Sequence, residues 1–227
     1  MLKYYRINYS TDQNIIGSKG AQIDNFYNRS LIKESEIKKY NDNRKNRFID
    51  TSEINVYNFA LSTEANLTDI LNSNYLFLDG FFISNKLKII LENSINENYK
   101  ILNTSIYKGE NLIENYYFFN VIDTENINYT KTIFRIDSTL MSWRDGGKEI
   151  IINNKEELFE KGWEVVLDDA TKTILPKKAY INKYTDILRF ANSHFIYCSE
   201  HLKQKIEEEK LTGVVFEETD IEFCLNE

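Results

Sequence analysis

The chain of 227 residues carries 28 Lys and Arg against 35 Asp and Glu, for a net charge of −7 and a pI of about 5.1. That balance excludes a general binder of nucleic acid or of anionic membranes, both of which need clustered Lys and Arg, and it suits a basic protein partner. With 42% hydrophobic and 28% charged residues, the chain can bury an ordinary core as one large domain or a domain with a subdomain.

The opening residues, MLKYYRINYS, lack the apolar run of a signal peptide, and residues 2–9 suit a first strand. Residues 11–20 are polar with two Gly and predict a loop. Ile23, Phe26, Tyr27, Leu31, Ile37 and Tyr40 recur at roughly helical spacing, so residues 23–40 predict a helix. The run NDNRKNR at 41–47 reads as a solvated loop and the best boundary candidate. Residues 54–61 predict a strand, and 67–71 a short helix or turn.

A unit of strand, Ser cap, helix and strand follows over residues 81–106. Its helix opens at Ser84, whose hydroxyl can accept from a free amide of the first turn, and Gly109 marks the next turn. The run YYFFNVI at 116–122 is too apolar for a half-exposed strand and predicts a central one. Residues 133–136 suit another strand, and RDGGK at 144–148 a turn. A short strand at 150–152 leads to Asn153, expected to cap a helix NKEELFEK with Leu158 and Phe159 inward and Gly162 as its stop. Residues 163–167 and 173–175 then predict strands separated by the turn DDAT. Pro176, which cannot donate to a ladder, belongs at an edge or loop.

The last unit, residues 194–218, repeats the pattern. A β-prone run reaches Cys198, Ser199 caps, Leu202 and Ile206 share one helix face, and Gly213 is expected to end the helix in a left-handed conformation. The sequence S-x-x-L-K-x-x-(I/L) occurs as Ser84, Leu87, Lys88, Leu91 and again as Ser199, Leu202, Lys203, Ile206. Strand-like runs flank both, YLFLDG and ILRFANS before, YKILNTSI and GVVFEE after. Two readings stand: a true internal copy, or two instances of a common local motif. Strands outnumber helices and mostly follow one another, which predicts an α+β fold. Its sheet is expected to be largely antiparallel or mixed, with a few packed helices and two strand–Ser-cap–helix–strand units.

Groups with chemical potential are few. His194, Cys198 and His201 give H-x3-C-x2-H, which matches no standard zinc spacing and lacks a fourth ligand. No metal or cofactor is expected. Ser193 beside His194 is no nucleophile–base pair, since adjacent strand residues face opposite ways. No nucleophile elbow, phosphate loop or dinucleotide fingerprint occurs, so no catalytic residue is assigned. Cys198 and Cys224, the two cysteines, are expected to be reduced thiols in a cytosolic chain. The carboxylates in turns or near the C-terminus, Asp168, Asp169, Glu217, Glu218, Asp220 and Glu222, are the candidate partner-binding residues. Ser84, Ser199 and Gly213 are the expected structural caps.

The closing unit, F-I-x-x-S-x-x-L-K…L-T-G-V-x-F over residues 195–216, is similar to the C-terminal signature of a bacterial immunity-protein family, immunity protein eleven or forty-three. That family accompanies polymorphic toxins. Its earlier S-x-x-L helix is matched at Ser84 to Leu91, and its aromatic strand ending N-V-hydrophobic-D by Tyr116, Tyr117, Asn120, Val121 and Asp123. The match covers residues 75–218. Cys198 stands where a β-branched residue is common, and RDGGK is peculiar to this chain.

The resemblance divides the chain into residues 1–74, packed on a core, and the immunity-like core of 75–227, together one compact domain. It implies a cytoplasmic, non-enzymatic protein whose partner is a co-encoded toxin domain, neutralised by occlusion. The acidic charge points to a basic toxin such as a nuclease. The competing readings are a small cytosolic enzyme that reverses or degrades a toxic modification or ligand, and a scaffold protein.

Overall fold

The architecture follows from two short helices that each begin on a serine at the end of a buried strand. A computed structural model describes residues 2–27, 58–73, 80–96, 99–121, 126–138, 147–191, 193 and 195–226. In chain order the first elements are β1 (Tyr4–Tyr9), α1 (Gln13–Ile16), β2 (Ile23–Phe26), β3 (Asn58–Leu61), β4 (Ile70–Leu71), β5 (Gly80–Ser84), α2 (Asn85–Glu92), β6 (Tyr99–Asn103), β7 (Ser105–Lys108) and β8 (Asn111–Ile113). They are followed by β9 (Tyr116–Val121), β10 (Ile133–Ser138), β11 (Glu149–Ile150), α3 (Lys155–Asp168), β12 (Lys172–Ile181), β13 (Ile187–Arg189), β14 (Ile196–Ser199), α4 (Glu200–Glu208), β15 (Val214–Glu218) and β16 (Glu222–Leu225). The fold is α+β and rich in sheet, with mostly antiparallel or mixed sheets.

The sheets come in matched pairs. Strands β4-β5-β9-β6 form one sheet and β13-β14-β1-β15 another, in the same order of equivalent parts. The registers agree to the residue. Tyr116 lies opposite Ser84 and Tyr117 opposite Ile83; Tyr4 lies opposite Ser199 and Tyr5 opposite Cys198. On their other edges, Val121 pairs with Tyr99 and Tyr117 with Asn103, as Tyr9 pairs with Val214 and Tyr5 with Glu218. The outer sheets correspond too. Antiparallel β2-β3 with parallel β7 has its counterpart in antiparallel β10-β12 with parallel β16.

The sequence carries this repeat. Thr68-Asp69-Ile70-Leu71 recurs as Thr185-Asp186-Ile187-Leu188, and Tyr4-Tyr5-x-x-Asn8 as Tyr116-Tyr117-x-x-Asn120. Taken in chain order, the halves run from β1 to β8 and from β9 to β16. The first strand of each completes the sheet of the other: β1 sits between β14 and β15, and β9 between β5 and β6. The N-terminal region therefore contributes a central strand of the last sheet.

Alternate residues of the shared strands feed different cores, which is why these strands are apolar on both faces. Phe81, Ile83, Phe119, Ile196 and Cys198 enter a central cluster with Leu87 and Leu91 of α2 and Leu202 and Ile206 of α4. Phe82 and Phe118 face one outer cluster, and Tyr197 its counterpart. On the surface, Lys88 Nζ stands 4.2 Å from the Tyr117 ring centre and Lys203 Nζ 4.9 Å from that of Tyr5.

Ser84 and Ser199 both cap as expected, accepting from Leu87 N and Leu202 N. Strand β9 is central in its sheet. Several expectations are corrected. Residues 23–26 are strand β2, paired to β3, and not the start of a helix; residues 28–57 lie outside the described part, as does the loop expected at 41–47. Residues 70–71 are a strand, not a helical turn. Gly162 does not end its helix: α3 runs on to Asp168, so the strand expected at 163–167 is helical, because Leu158, Gly162 and Val165 bury one face over β12. The cap of α3 is Asn154 rather than Asn153. Pro176 lies inside β12, opposite Phe134, where β16 has not yet begun to pair on the far side.

Gly213 is not the stop of α4, which ends at Glu208 with Glu209 as its cap. Its φ of 76° is left-handed. A Cβ there would lie 2.5 Å from the Ile70 carbonyl oxygen and 2.6 Å from the Thr68 side chain. Only glycine lets this loop press so closely on the other half.

Candidate functional site

A dense polar group is centred on Asp186, which is fully buried. Its Oδ1 accepts from Ser199 Oγ at 2.5 Å and Tyr184 OH at 3.0 Å, with His201 Nδ1 at 3.3 Å. Its Oδ2 accepts from the Ile95 amide at 2.8 Å. Burial pushes this carboxyl upward, but hydrogen bonds from Ser199, Ile95, His201 and Tyr184 outweigh it and hold it below the usual carboxylate range.

A Ser, a His and an Asp in contact invite comparison with a hydrolytic triad, but the connectivity differs. Ser199 Oγ donates a hydrogen bond to Asp186 and accepts one from Leu202 N at 3.1 Å, so its hydroxyl is committed to the aspartate and to the helix cap. His201 faces the aspartate and not the serine.

The other half holds the same arrangement without the histidine. Asp69 Oδ1 accepts from Ser84 Oγ at 2.6 Å, and Oδ2 from the Thr212 amide at 2.8 Å. In both halves the serine amide donates to the aspartate carbonyl at 2.9 Å. The aspartate amides donate to Thr212 O and Ile95 O at 2.9 and 2.6 Å. Each aspartate thus clasps the cap of its own helix and the loop that follows the helix of the other half. These are junctions between halves; the Asp186 one is centred on a buried carboxylate whose hydrogen bonds are costly to leave unmade, and the Asp69 one is more open to solvent.

The possible metal ligands do not gather. Cys198 is buried in the central cluster, where burial pushes its thiol well up, and His201 sits at the start of α4 against Asp186. His194 lies outside the described residues. Among the described residues, no group of three His, Cys, Asp or Glu side chains is placed to hold a metal ion.

The six acidic candidates fall at the end of α3 (Asp168, Asp169), on β15 (Glu217, Glu218), between the last two strands (Asp220) and on β16 (Glu222), and four are engaged within the chain. Asp169 accepts from Thr171 N and Oγ1 and pairs with Lys172 at 3.3 Å, contacts that hold its carboxyl low. Glu217 pairs with Arg6 at 3.3 Å, Asp220 with the buried Arg135 at 2.5 Å, and Glu222 with Lys178 at 3.5 Å. Glu218, at the end of β15, and Asp168, at the end of α3, are exposed and make no ion pair among the described residues.

Asp168 has company that the sequence reading missed. Glu156, Glu160 and Glu164 precede it at intervals of four, on the same exposed side of α3. The interval was visible in the sequence, but a helix ending at Gly162 would have cut the row in two. Compared with known proteins, the chain matches no family model and no curated protein sequence.

Proposed function

We propose that this is an immunity protein of the bacterial cytoplasm that binds a toxin domain encoded beside it and neutralises it by occlusion. The observation that carries the reading is the use made of the residues shared with the immunity family. Ser84, Ser199, Thr212 and Gly213 all sit at the junctions between the halves. They hold a scaffold together, which leaves recognition to the outer surface. That surface belongs to a chain of net charge −7, which favours a basic partner through faster, charge-steered encounter.

The reading is tested by co-expressing the chain with the toxin domain of the adjoining gene, then purifying both. Growth rescue and a one-to-one complex are expected. Association should slow as salt rises from 50 to 500 mM, with a smaller change in dissociation. Rescue without any complex between the purified proteins would replace occlusion with an enzymatic reading.

A further inference from the structure

Helix α3 displays two parallel rows of side chains at four-residue spacing. Glu156, Glu160, Glu164 and Asp168 form one row, and Phe159, Trp163 and Leu167 the other. Residues three apart on a helix adjoin, so Glu160 borders Trp163 and Glu164 borders Leu167. The acidic row is exposed throughout. Leu167 is 80% exposed and Trp163 38%, and the Phe159 ring meets Trp163 edge-on, with centroids 6.2 Å apart. The opposite side of the helix, through Leu158 and Val165, is committed to the cluster with Phe134 and Ile174.

Past its first turn, where Glu156 suits the helix dipole, this outward face runs against what helix stability favours. Like charges four apart repel, and Asp168 places a negative charge at the negative end of the helix dipole. None of the four carboxylates makes an ion pair among the described residues. Elsewhere on the same helix the chain does neutralise a carboxylate: Glu157 pairs with Lys161 at 2.6 Å. A conflict between local stability and sequence confined to one face marks a functional surface. An apolar ridge flanked by uncompensated carboxylates is complementary to a segment that presents an apolar anchor among Lys or Arg side chains.

We infer that the outward face of α3 is the docking surface for a basic amphipathic segment of a protein partner, taken here as the toxin because the inference rests on the immunity reading. Trp163 and Leu167 supply the desolvated centre, and the four carboxylates steer and flank it.

The test uses the full chain and two probes. One is the toxin domain of the adjoining gene; the other is a fluorescent 18-residue amphipathic peptide of lysine and leucine, with a glutamate–leucine peptide as control. Three variants are compared with the parent chain: Glu160→Lys with Glu164→Lys, Trp163→Ala with Leu167→Ala, and Glu110→Lys on the β7–β8 turn. Circular dichroism confirms that each is folded, and Glu164→Gln provides a milder second variant of the acidic row. The charge variant should slow association with the toxin at least tenfold, the apolar variant should speed dissociation at least tenfold, and Glu110→Lys should change neither. The lysine–leucine peptide should follow the same order, and the glutamate–leucine peptide should not bind. Toxin binding that is unchanged in both α3 variants overturns the docking face and leaves the immunity reading standing. Loss of toxin binding in the parent chain, with peptide binding still dependent on α3, removes the toxin and keeps the face.

Discussion

Tyr4 and Tyr116 hold the same position in opposite halves, and each donates its hydroxyl to a backbone carbonyl across the junction: Tyr4 to Thr185, Tyr116 to Thr68 at 2.8 Å. Burial pushes both phenols up, Tyr116 to about 12. Both therefore stay protonated and keep donating across the ordinary pH range. Each threonine opens the four-residue stretch whose aspartate clasps a helix cap, so the tyrosines anchor the clasps from behind.

The clasps should carry measurable stability. Ser199→Ala should cost about 1 kcal/mol through the lost cap. Asp186→Ala should cost about 3 kcal/mol, because it leaves Ser199, Tyr184 and the Ile95 amide without their acceptor. Urea denaturation of the three proteins measures both. Equal midpoints for Asp186→Ala and the parent chain would show that the clasp holds nothing.

Asp186 also gives stability a pH dependence of known sign. Its folded pKa is depressed, so its contribution is fully present above the unfolded value of about 3.9 and is lost as pH falls through the lower folded value. The stability gap between the parent chain and Asp186→Asn should hold steady from pH 7 to 5 and narrow below pH 4. Denaturation midpoints taken at intervals over that range decide it; a gap that widens toward acid contradicts the assignment.

Gly213→Ala should cost more than a loop substitution normally does, about 1–3 kcal/mol. The residue needs φ of 76° and has backbone oxygen 2.5 Å from the new methyl position. Gly109→Ala makes the comparison: its φ is 61° but nothing lies within 4 Å, so the difference between the two isolates the close approach.

The two thiols should differ in reactivity. Cys198 is buried with its thiol pushed up, whereas Cys224 is half-buried on β16. A thiolate reagent should label one cysteine in the native protein and the second only after unfolding. Mass spectrometry of the singly labelled protein should locate the label on Cys224.

Local physics made the two serine caps and the central strand β9 readable from the sequence, since a cap needs one side chain and a buried strand one apolar run. The helix α3 was not readable to its end. Its run of Trp163, Val165, Val166 and Leu167 follows a glycine and has strand-like composition, and burial of Leu158, Gly162 and Val165 overrides that preference. Ile23, Phe26 and Tyr27 mimic helical spacing, yet residues 23–26 are held in a strand by β3. The acidic row on α3 was hidden by the same misplaced helix end. The repeat of Thr-Asp-Ile-Leu was in plain view, but a two-residue strand gives too short a signal to be recognised alone. The exchange of first strands had no local signal, because it is decided by partners far along the chain.

That exchange also sets a schedule for synthesis. Tyr5 reaches its partner Glu200 195 residues later. At ribosomal speeds of about 5–20 residues per second, β1 waits about 10–40 s before β14 and β15 exist to receive it. During that wait its edges are open to other chains. Neither half can close early, since the sheet of the first half lacks β9 until more than half the chain has been made. Removing residues 1–9 should therefore leave a chain that never reaches the cooperative native state. A synthetic peptide of those residues, added in trans during refolding, should restore near-ultraviolet dichroism; a truncated chain that folds unaided would break the schedule.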